Sequence, residues 1–381
     1  MSQLLQNPRL RDWLPALIAG GLAWLIFLIL GHTPLVRASG MALAVVGMAL
    51  ALRSMGAALS IIGGMALAFS PSFWIQTGGV ESLNPLEVGA ALIAVIVIGF
   101  IALRLSHHPF VGAAIMVVVF AVLFLSMIGT PRSLRLTTLL SAWTLFLLID
   151  GLLVSNARPD TPTTSQLGAQ HTYGLLILLG IGVLNDPLFS LMIPAAALGL
   201  FLSKKRLPTL YWVALLVIAA FGVNGMIASY YSDYWWNLTT DTAIQSEIRH
   251  IPFIVADGWR EPIRWIGLSD LVIQQFTWAG LALGVLGLAR LARWYPPVGV
   301  VTMILYAAYG VFGLSYFGED RSVLLLPLLM VQIVWMTYAV YTFSQWLQKS
   351  LRANEERARL FAAAAFTLLP VFMLLRIIGA I

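Results

Sequence analysis

Thirteen apolar runs, separated by charged residues or by glycine and proline, fill most of this 381-residue sequence. A helix needs about 20 apolar residues to cross the hydrocarbon core of a bilayer. The sequence therefore predicts an all-α, polytopic membrane protein with about 13 transmembrane helices, in a range of about 11 to 13. The predicted spans are residues 14–31, 38–52, 55–73, 86–105, 109–128, 136–155, 172–184, 188–202, 209–228, 277–291, 298–316, 322–346 and 360–378.

The composition excludes several classes of protein. Charged residues make up 10% of the chain, whereas soluble domains carry about 25%. A soluble enzyme, a disordered tail and a nucleic-acid-binding module are thus excluded. The absence of cysteine rules out disulfides and thiolate metal sites. With only 5 histidines, the sequence indicates no metal site and no cofactor, although it does not exclude an assisting divalent cation.

The charge distribution predicts the orientation of these spans. Lysine and arginine collect on the cytoplasmic side of membrane proteins. If the N-terminus is cytoplasmic and the spans alternate, most of the 22 basic residues lie inside. The inside set is Arg9, Arg11, Arg53, Arg104, Arg158, Lys204, Lys205, Arg206, Arg290, Arg293, Lys349, Arg352, Arg357 and Arg359. We therefore expect an integral plasma-membrane protein with a cytoplasmic N-terminus and a single transmembrane domain over residues 1–381.

One longer hydrophilic segment, residues 229–276, is predicted to lie outside. Its aromatic cluster includes Trp235 and Trp236, which anchor the chain at the outer interface or form a wall for sugar rings or lipid headgroups. The helical spacing of Ile244, Ile248 and Val255 predicts a short amphipathic helix in the interface plane.

Ionisable residues within or beside the spans are candidates for chemistry because they are costly in a membrane. Asp150 either pairs with a neighbour or relays protons or ions. Asp186 either caps a helix or lines a cavity. Glu81 lies in an outer loop that holds a polar ligand or is a solvated turn. Glu319 belongs to an outer turn whose acids pair with Arg321.

Residues 56–100 resemble part of a known protein family. This stretch resembles the third and fourth helices of bacterial membrane glycosyltransferases with the GT-C fold, in the protein-O-mannosyltransferase-like group. Those proteins end an apolar helix in a phrase like AFSPTFW and continue into an outer loop that carries an acid. The matching residues here are Phe69, Ser70, Pro71, Phe73, Trp74, Glu81, Leu83 and Asn84.

The resemblance implies a bacterial plasma-membrane enzyme that transfers a sugar from a polyprenyl-phosphate carrier at the outer face. Its partners would be membrane lipid and the lipid-linked sugar, with no nucleic acid. Under this hypothesis Glu81 is the catalytic acid or base, and Asp186 and Glu319 are further acids of the cavity. The predicted ligand-binding residues are Trp74, Trp235 and Trp236, together with Arg249, Arg260 and Arg264 as phosphate contacts.

The sequence departs from that family in its first outer loop. Relatives have a long loop with a catalytic acid there, whereas residues 31–37 contain no carboxylate. Two alternatives follow. The chain is a non-catalytic subunit or scaffold of a larger membrane complex with a protein partner, or it is a secondary transporter, which would need polar sites near the membrane midplane.

Overall fold

The computed structural model describes residues 8–78, 134–155, 165–203, 206–231, 257–316, 318, 320–351 and 354–380. Within these ranges the longer helices are α1 (Pro8–Ile29), α2 (Leu35–Ala51), α3 (Ala57–Ala68), α5 (Leu134–Ser155), α6 (Ser165–Asn185), α7 (Ile193–Leu202), α8 (Thr209–Tyr231), α9 (Pro262–Trp294), α10 (Pro296–Ser315), α12 (Leu326–Leu351) and α13 (Glu355–Ile377). Short α-helices are α4 (Pro71–Ile75) and α11 (Arg321–Leu324), and 3₁₀ turns span Arg53–Met55, Pro187–Met192 and Gly258–Arg260.

Seven described helices are long and apolar enough to cross a membrane, namely α1, α5, α8, α9, α10, α12 and α13. The apolar windows of α12 and α5 are 83% and 78% buried, whereas that of α8 is only 17% buried. Helices α5 and α12 thus form the centre of the bundle, and α8 presents apolar side chains outward, as a lipid-facing helix does. The described chain is an all-helical, multi-pass membrane protein. The predicted spans 86–105 and 109–128 lie outside the described residues.

The predicted span 55–73 is interrupted near its end. Ser70 has an extended backbone, with φ −67° and ψ 132°, and Pro71 starts the separate helix α4. Proline favours the first position of a helix, and the residue before a proline avoids helical angles. Helix α3 therefore has 12 residues and is too short to cross the bilayer upright.

The helix pair predicted at 172–184 and 188–202 also differs from its expected length. Helix α6 starts earlier, at Ser165, and has 21 residues. The second member is divided into the 3₁₀ turn Pro187–Met192 and the ten-residue helix α7. The sequence correctly predicts the break at Asn185 and Asp186, but apolarity alone does not reveal the polar first turns of α6.

Helix α9 contains a sharp break at Thr277, which has φ 64° and ψ 176°. Such angles are strained for a residue with a Cβ. The predicted span 277–291 begins at this break. The preceding half of α9, residues 262–276, is helical although the sequence places it in a hydrophilic outer segment. One of its faces is buried through Leu268, Val272 and Phe276, and this packing supports the helix.

Small residues bring α9 and α12 close together. A Cβ added to Gly287 would lie 1.7 Å from the backbone oxygen of Trp335. Gln332 of α12 donates from Nε2 to the Gly280 oxygen at 2.9 Å. Membrane helices associate through this kind of close packing and interhelical hydrogen bonding.

We expect Gly287→Ala to lower the free energy of unfolding by about 1–3 kcal/mol, because the added methyl group forces α9 and α12 apart. Gly21→Ala is the matched control, since no atom lies within 4 Å of a Cβ at Gly21. This control should be neutral or stabilising by up to about 1 kcal/mol, because alanine favours the helix. Denaturant titration in detergent measures both variants, and equal stabilities would contradict the packing described.

The bundle has two ends, which we name by their buried acids. The Asp186 end contains the last turn of α6, the first turn of α5, helix α4 and the residues directly after it. Asn185 donates to the Thr137 hydroxyl, and the Thr138 hydroxyl donates to Oε1 of Gln76. The Asp150 end contains the opposite end of α5, where Arg53 contacts Asp150.

Candidate functional site

Helix α4 forms the centre of the Asp186 end. Trp74 lies half-buried on this helix, with its ring centroid 5.7 Å from Phe27 and 6.4 Å from Phe69. The backbone nitrogen of Ser72 donates to Oε1 of Gln275 at 2.9 Å. These contacts fix α4 against α1 and the first half of α9. Trp74, which the sequence predicts to bind a ligand, is held by aromatic packing.

Two arginines clamp the chain directly after α4. Arg37 donates from Nη1 to the Gly78 oxygen at 2.5 Å. Arg135 donates from Nε to the Gln76 oxygen at 2.8 Å and from Nη2 to the Gly78 oxygen at 3.2 Å. Hydrogen bonds from a charged donor are stronger than neutral ones. The clamp therefore holds the segment that leads, three residues later, to Glu81.

Asp186 is fully buried between α6 and α7. Its Oδ1 accepts from the Leu188 backbone nitrogen at 3.0 Å, and its Oδ2 accepts from the Thr137 hydroxyl at 3.1 Å. Asn185 donates to the same hydroxyl at 2.9 Å. This geometry matches a cap for the Pro187–Met192 turn rather than an acid open to a cavity.

We expect Asp186→Ala to lower the free energy of unfolding by about 2 kcal/mol, because the cap is lost and buried donors lose their acceptor. The control is Asp270→Ala, since Asp270 is exposed and accepts from Gln274 at 2.9 Å. That control should change the free energy by no more than about 0.5 kcal/mol. If Asp186→Ala matched the control in thermal and denaturant unfolding, the capping role would be wrong.

The first half of α9 and the 3₁₀ turn before it carry two of the predicted phosphate contacts. Arg264 is 7% exposed, donates from Nε to Oε2 of Glu261 at 2.9 Å, and donates from Nη1 to the Leu314 oxygen at 2.8 Å. Arg260 is exposed, and its guanidinium lies 5.0 Å from the centroid of the Trp259 ring. Arg264 is therefore a fixed, buried positive charge, whereas Arg260 is a surface group.

Several predicted site residues lie outside the described residues. They are Glu81, Glu319, Arg249, Trp235 and Trp236, and the amphipathic helix predicted around 244–255 lies there too. Conversely, the sequence did not single out Arg37 and Arg135. The available signal was a set of arginines on the predicted outer side, where the positive-inside rule predicts few.

At the opposite end, Asp150 is paired. Its Oδ1 accepts from Nε of Arg53 at 2.9 Å and also from Nη2, and its Oδ2 lies 2.7 Å from Nε2 of His171. Arg53 also lies 5.7 Å from the Phe146 ring centroid. Of the two roles that the sequence allows for Asp150, the structure shows pairing with a neighbour. The pairing joins the Arg53–Met55 turn, α5 and α6.

Within the described ranges, no group of three or more histidine, aspartate or glutamate residues could hold a metal ion. Comparisons with protein-family models, curated proteins and solved structures found no match to this chain.

Proposed function

We propose that this protein is a GT-C-type membrane glycosyltransferase, or a close derivative, that takes a sugar from a polyprenyl-phosphate carrier, with the Asp186 end facing outward. The observation that carries the proposal is a set of arginines at that end, on the side where the positive-inside rule predicts few. Six described arginines lie there, and no described lysine does. They are Arg37, Arg135, Arg260, Arg264, Arg321 and Arg376.

Arginine at an outer membrane end requires a reason other than topology, because the positive-inside rule favours the opposite end. The planar guanidinium suits phosphate, since it donates several hydrogen bonds in a fixed fork. A lipid phosphate lies at this depth of the membrane. The arginines therefore support a phosphate-bearing lipid as the ligand.

The proposed reaction assigns a role to each group. The Glu81 carboxylate takes the proton of an acceptor hydroxyl, whose oxygen bonds to the anomeric carbon of the sugar. The bond from that carbon to the phosphate oxygen breaks, and the leaving polyprenyl phosphate keeps the electron pair. Arg260 and Arg264 stabilise its negative charge, whereas Arg376 donates to the backbone oxygen of Gln274 and takes no part in phosphate binding. The clamp formed by Arg37 and Arg135 places the start of the Glu81 loop next to α4.

A second candidate function is a non-catalytic membrane subunit. Two observations favour it, namely the use of Asp186 as a buried cap and the short connection between α1 and α2, which has no carboxylate. Such a subunit would keep the lipid site and lack transfer.

The test is a transfer assay with the purified full chain in liposomes that contain a radiolabelled polyprenyl-phosphate hexose and a membrane extract as acceptor. The proposal predicts that label leaves the carrier lipid and that polyprenyl phosphate accumulates. If the lipid binds but keeps its label, the non-catalytic subunit is favoured and the transferase proposal fails.

A further inference from the structure

Arg321 is the first residue of α11 and lies among three other elements. Helix α11 contacts α4 and α12. A Cβ built on Gly267 of α9 would lie 3.7 Å from Nη1 of Arg321. The guanidinium is thus enclosed between the first half of α9 and α11, at the Asp186 end.

The nitrogens of Arg321 are incompletely satisfied. Nε and Nη2 are both buried and have no hydrogen-bond partner in the described part of the chain. The neighbouring Asp320 instead accepts, through Oδ1, a hydrogen bond of 2.5 Å from the Tyr316 hydroxyl. Buried charges are costly unless they are paired. The Arg321 side chain as a whole is half-buried, and the described chain leaves two of its buried nitrogens as open donors.

Arg264 adds a second positive charge beside these donors. Burial lowers the pKa of the Arg321 guanidinium, and the charge of Arg264 lowers this pKa further. Arg264 is itself fixed by Glu261 and the Leu314 oxygen. Two guanidinium groups that repel each other in a buried place are stabilised by an anion between them.

We propose that Arg321 and Arg264 form a binding site for the phosphate group of a lipid headgroup, with Arg321 as the open donor and Arg264 as the fixed charge. The pair of open N–H groups on one guanidinium suits two phosphate oxygens. This assignment deepens the proposed function, on which the choice of a lipid rests, and it adds Arg321 to the phosphate contacts expected from the sequence.

The surroundings favour a lipid phosphate over a free ion. The outer face of the first half of α9 and of the preceding turn is apolar and exposed, through Trp259, Ile263, Trp265 and Ile266. Trp265 donates from its indole nitrogen to the Trp259 oxygen at 2.7 Å, which holds this aromatic face together. Tryptophan favours the membrane interface. A lipid chain therefore finds an apolar surface next to the phosphate site.

The experiment measures the binding of dodecyl phosphate and of inorganic phosphate to the purified full chain in neutral detergent. The variants are Arg321→Gln, Arg321→Lys and the control Arg376→Gln, which changes an exposed arginine at the same end. We expect Arg321→Gln to weaken dodecyl phosphate binding by about 10- to 100-fold, and Arg321→Lys to weaken it less, because lysine keeps the charge but loses the fork. Arg376→Gln should stay within about 2-fold of the unaltered protein.

A second readout separates ligand binding from a structural role. Without ligand, Arg321→Gln should melt at the same or a higher temperature than the unaltered protein, because it removes a charged group with two buried donors that lack a partner. A lower melting temperature for both Arg321→Gln and Glu319→Gln, with no phosphate binding by the unaltered protein, would mean that Glu319 is the partner of Arg321. That result would overturn the proposal.

Two further outcomes test the identity of the anion. Dodecyl phosphate should bind at least about 10-fold more tightly than inorganic phosphate, because burial of the chain on the α9 face adds affinity. Equal affinities would overturn the lipid assignment. Binding that depends on Arg321 without any sugar transfer would support this site and contradict only the proposed transferase activity.

Discussion

We expect Glu81→Gln to transfer sugar at least about 100-fold more slowly than the unaltered protein, because a positioned general base contributes about 10²–10⁴-fold to such a reaction. Glutamine keeps the size of the side chain but cannot accept the proton of the acceptor hydroxyl. The measurement is the initial rate of label release from the polyprenyl-phosphate hexose in liposomes.

The matched control is Glu87→Gln, which removes the only other carboxylate in residues 79–100, at the start of the predicted span 86–105. Its rate should remain within about 3-fold of the unaltered protein, because the proposed reaction assigns no proton transfer to Glu87. The affinity for dodecyl phosphate should be unchanged in both variants, which separates chemistry from binding. Equal transfer rates for Glu81→Gln and the unaltered protein would remove Glu81 from the mechanism.

The largest effect on stability is expected from Asp150→Ala. This change leaves the Arg53 guanidinium without the carboxylate that it contacts through Nε and Nη2. The side chains of Asp150 and Arg53 are 8% and 25% exposed. Breaking a buried ion pair from one side costs about 3–5 kcal/mol, and the partial exposure of Arg53 places the expected loss near the lower limit. Denaturant unfolding in detergent measures it.

A double variant tests the reason for this loss. Asp150→Leu combined with Arg53→Met removes both charges and should be more stable than Asp150→Leu alone, since no guanidinium is then left unpaired. Asp270→Ala again supplies an exposed aspartate as control. If the double variant were no more stable than the single one, the ion pair would not account for the effect of Asp150.

The sequence predicted the positions of breaks better than the lengths of helices. Apolar runs located the break before Pro187 and the start of a span at Thr277. They missed the helix over residues 262–276, because half of its surface carries polar residues such as Asp270 and Gln274. Its helical structure depends on packing against other elements, which local hydropathy does not contain.

The candidate site was only partly predictable for a related reason. The sequence offered two roles for Asp186, and the hydrogen bond that its carboxylate accepts from the Leu188 backbone nitrogen favours the cap. It also grouped Arg321 with neighbouring acids, whereas Asp320 contacts Tyr316. In the clamp, Arg37 is 41 residues from Gly78 in the sequence. Arg135 is 59 residues from Gln76 and 57 residues from Gly78. Hydrogen bonds of this range depend on tertiary structure and leave no local pattern.

The central claim is that the Asp186 end binds a phosphate-bearing lipid carrier. Native mass spectrometry of the protein, extracted gently from its own membrane, tests this claim most directly. The account predicts a 1:1 complex with a mass increment equal to a polyprenyl phosphate or its glycosylated form, and loss of that increment in Arg321→Gln but not in Arg376→Gln. A stoichiometric protein partner with no such lipid in the unaltered protein would contradict the account and identify a non-catalytic subunit.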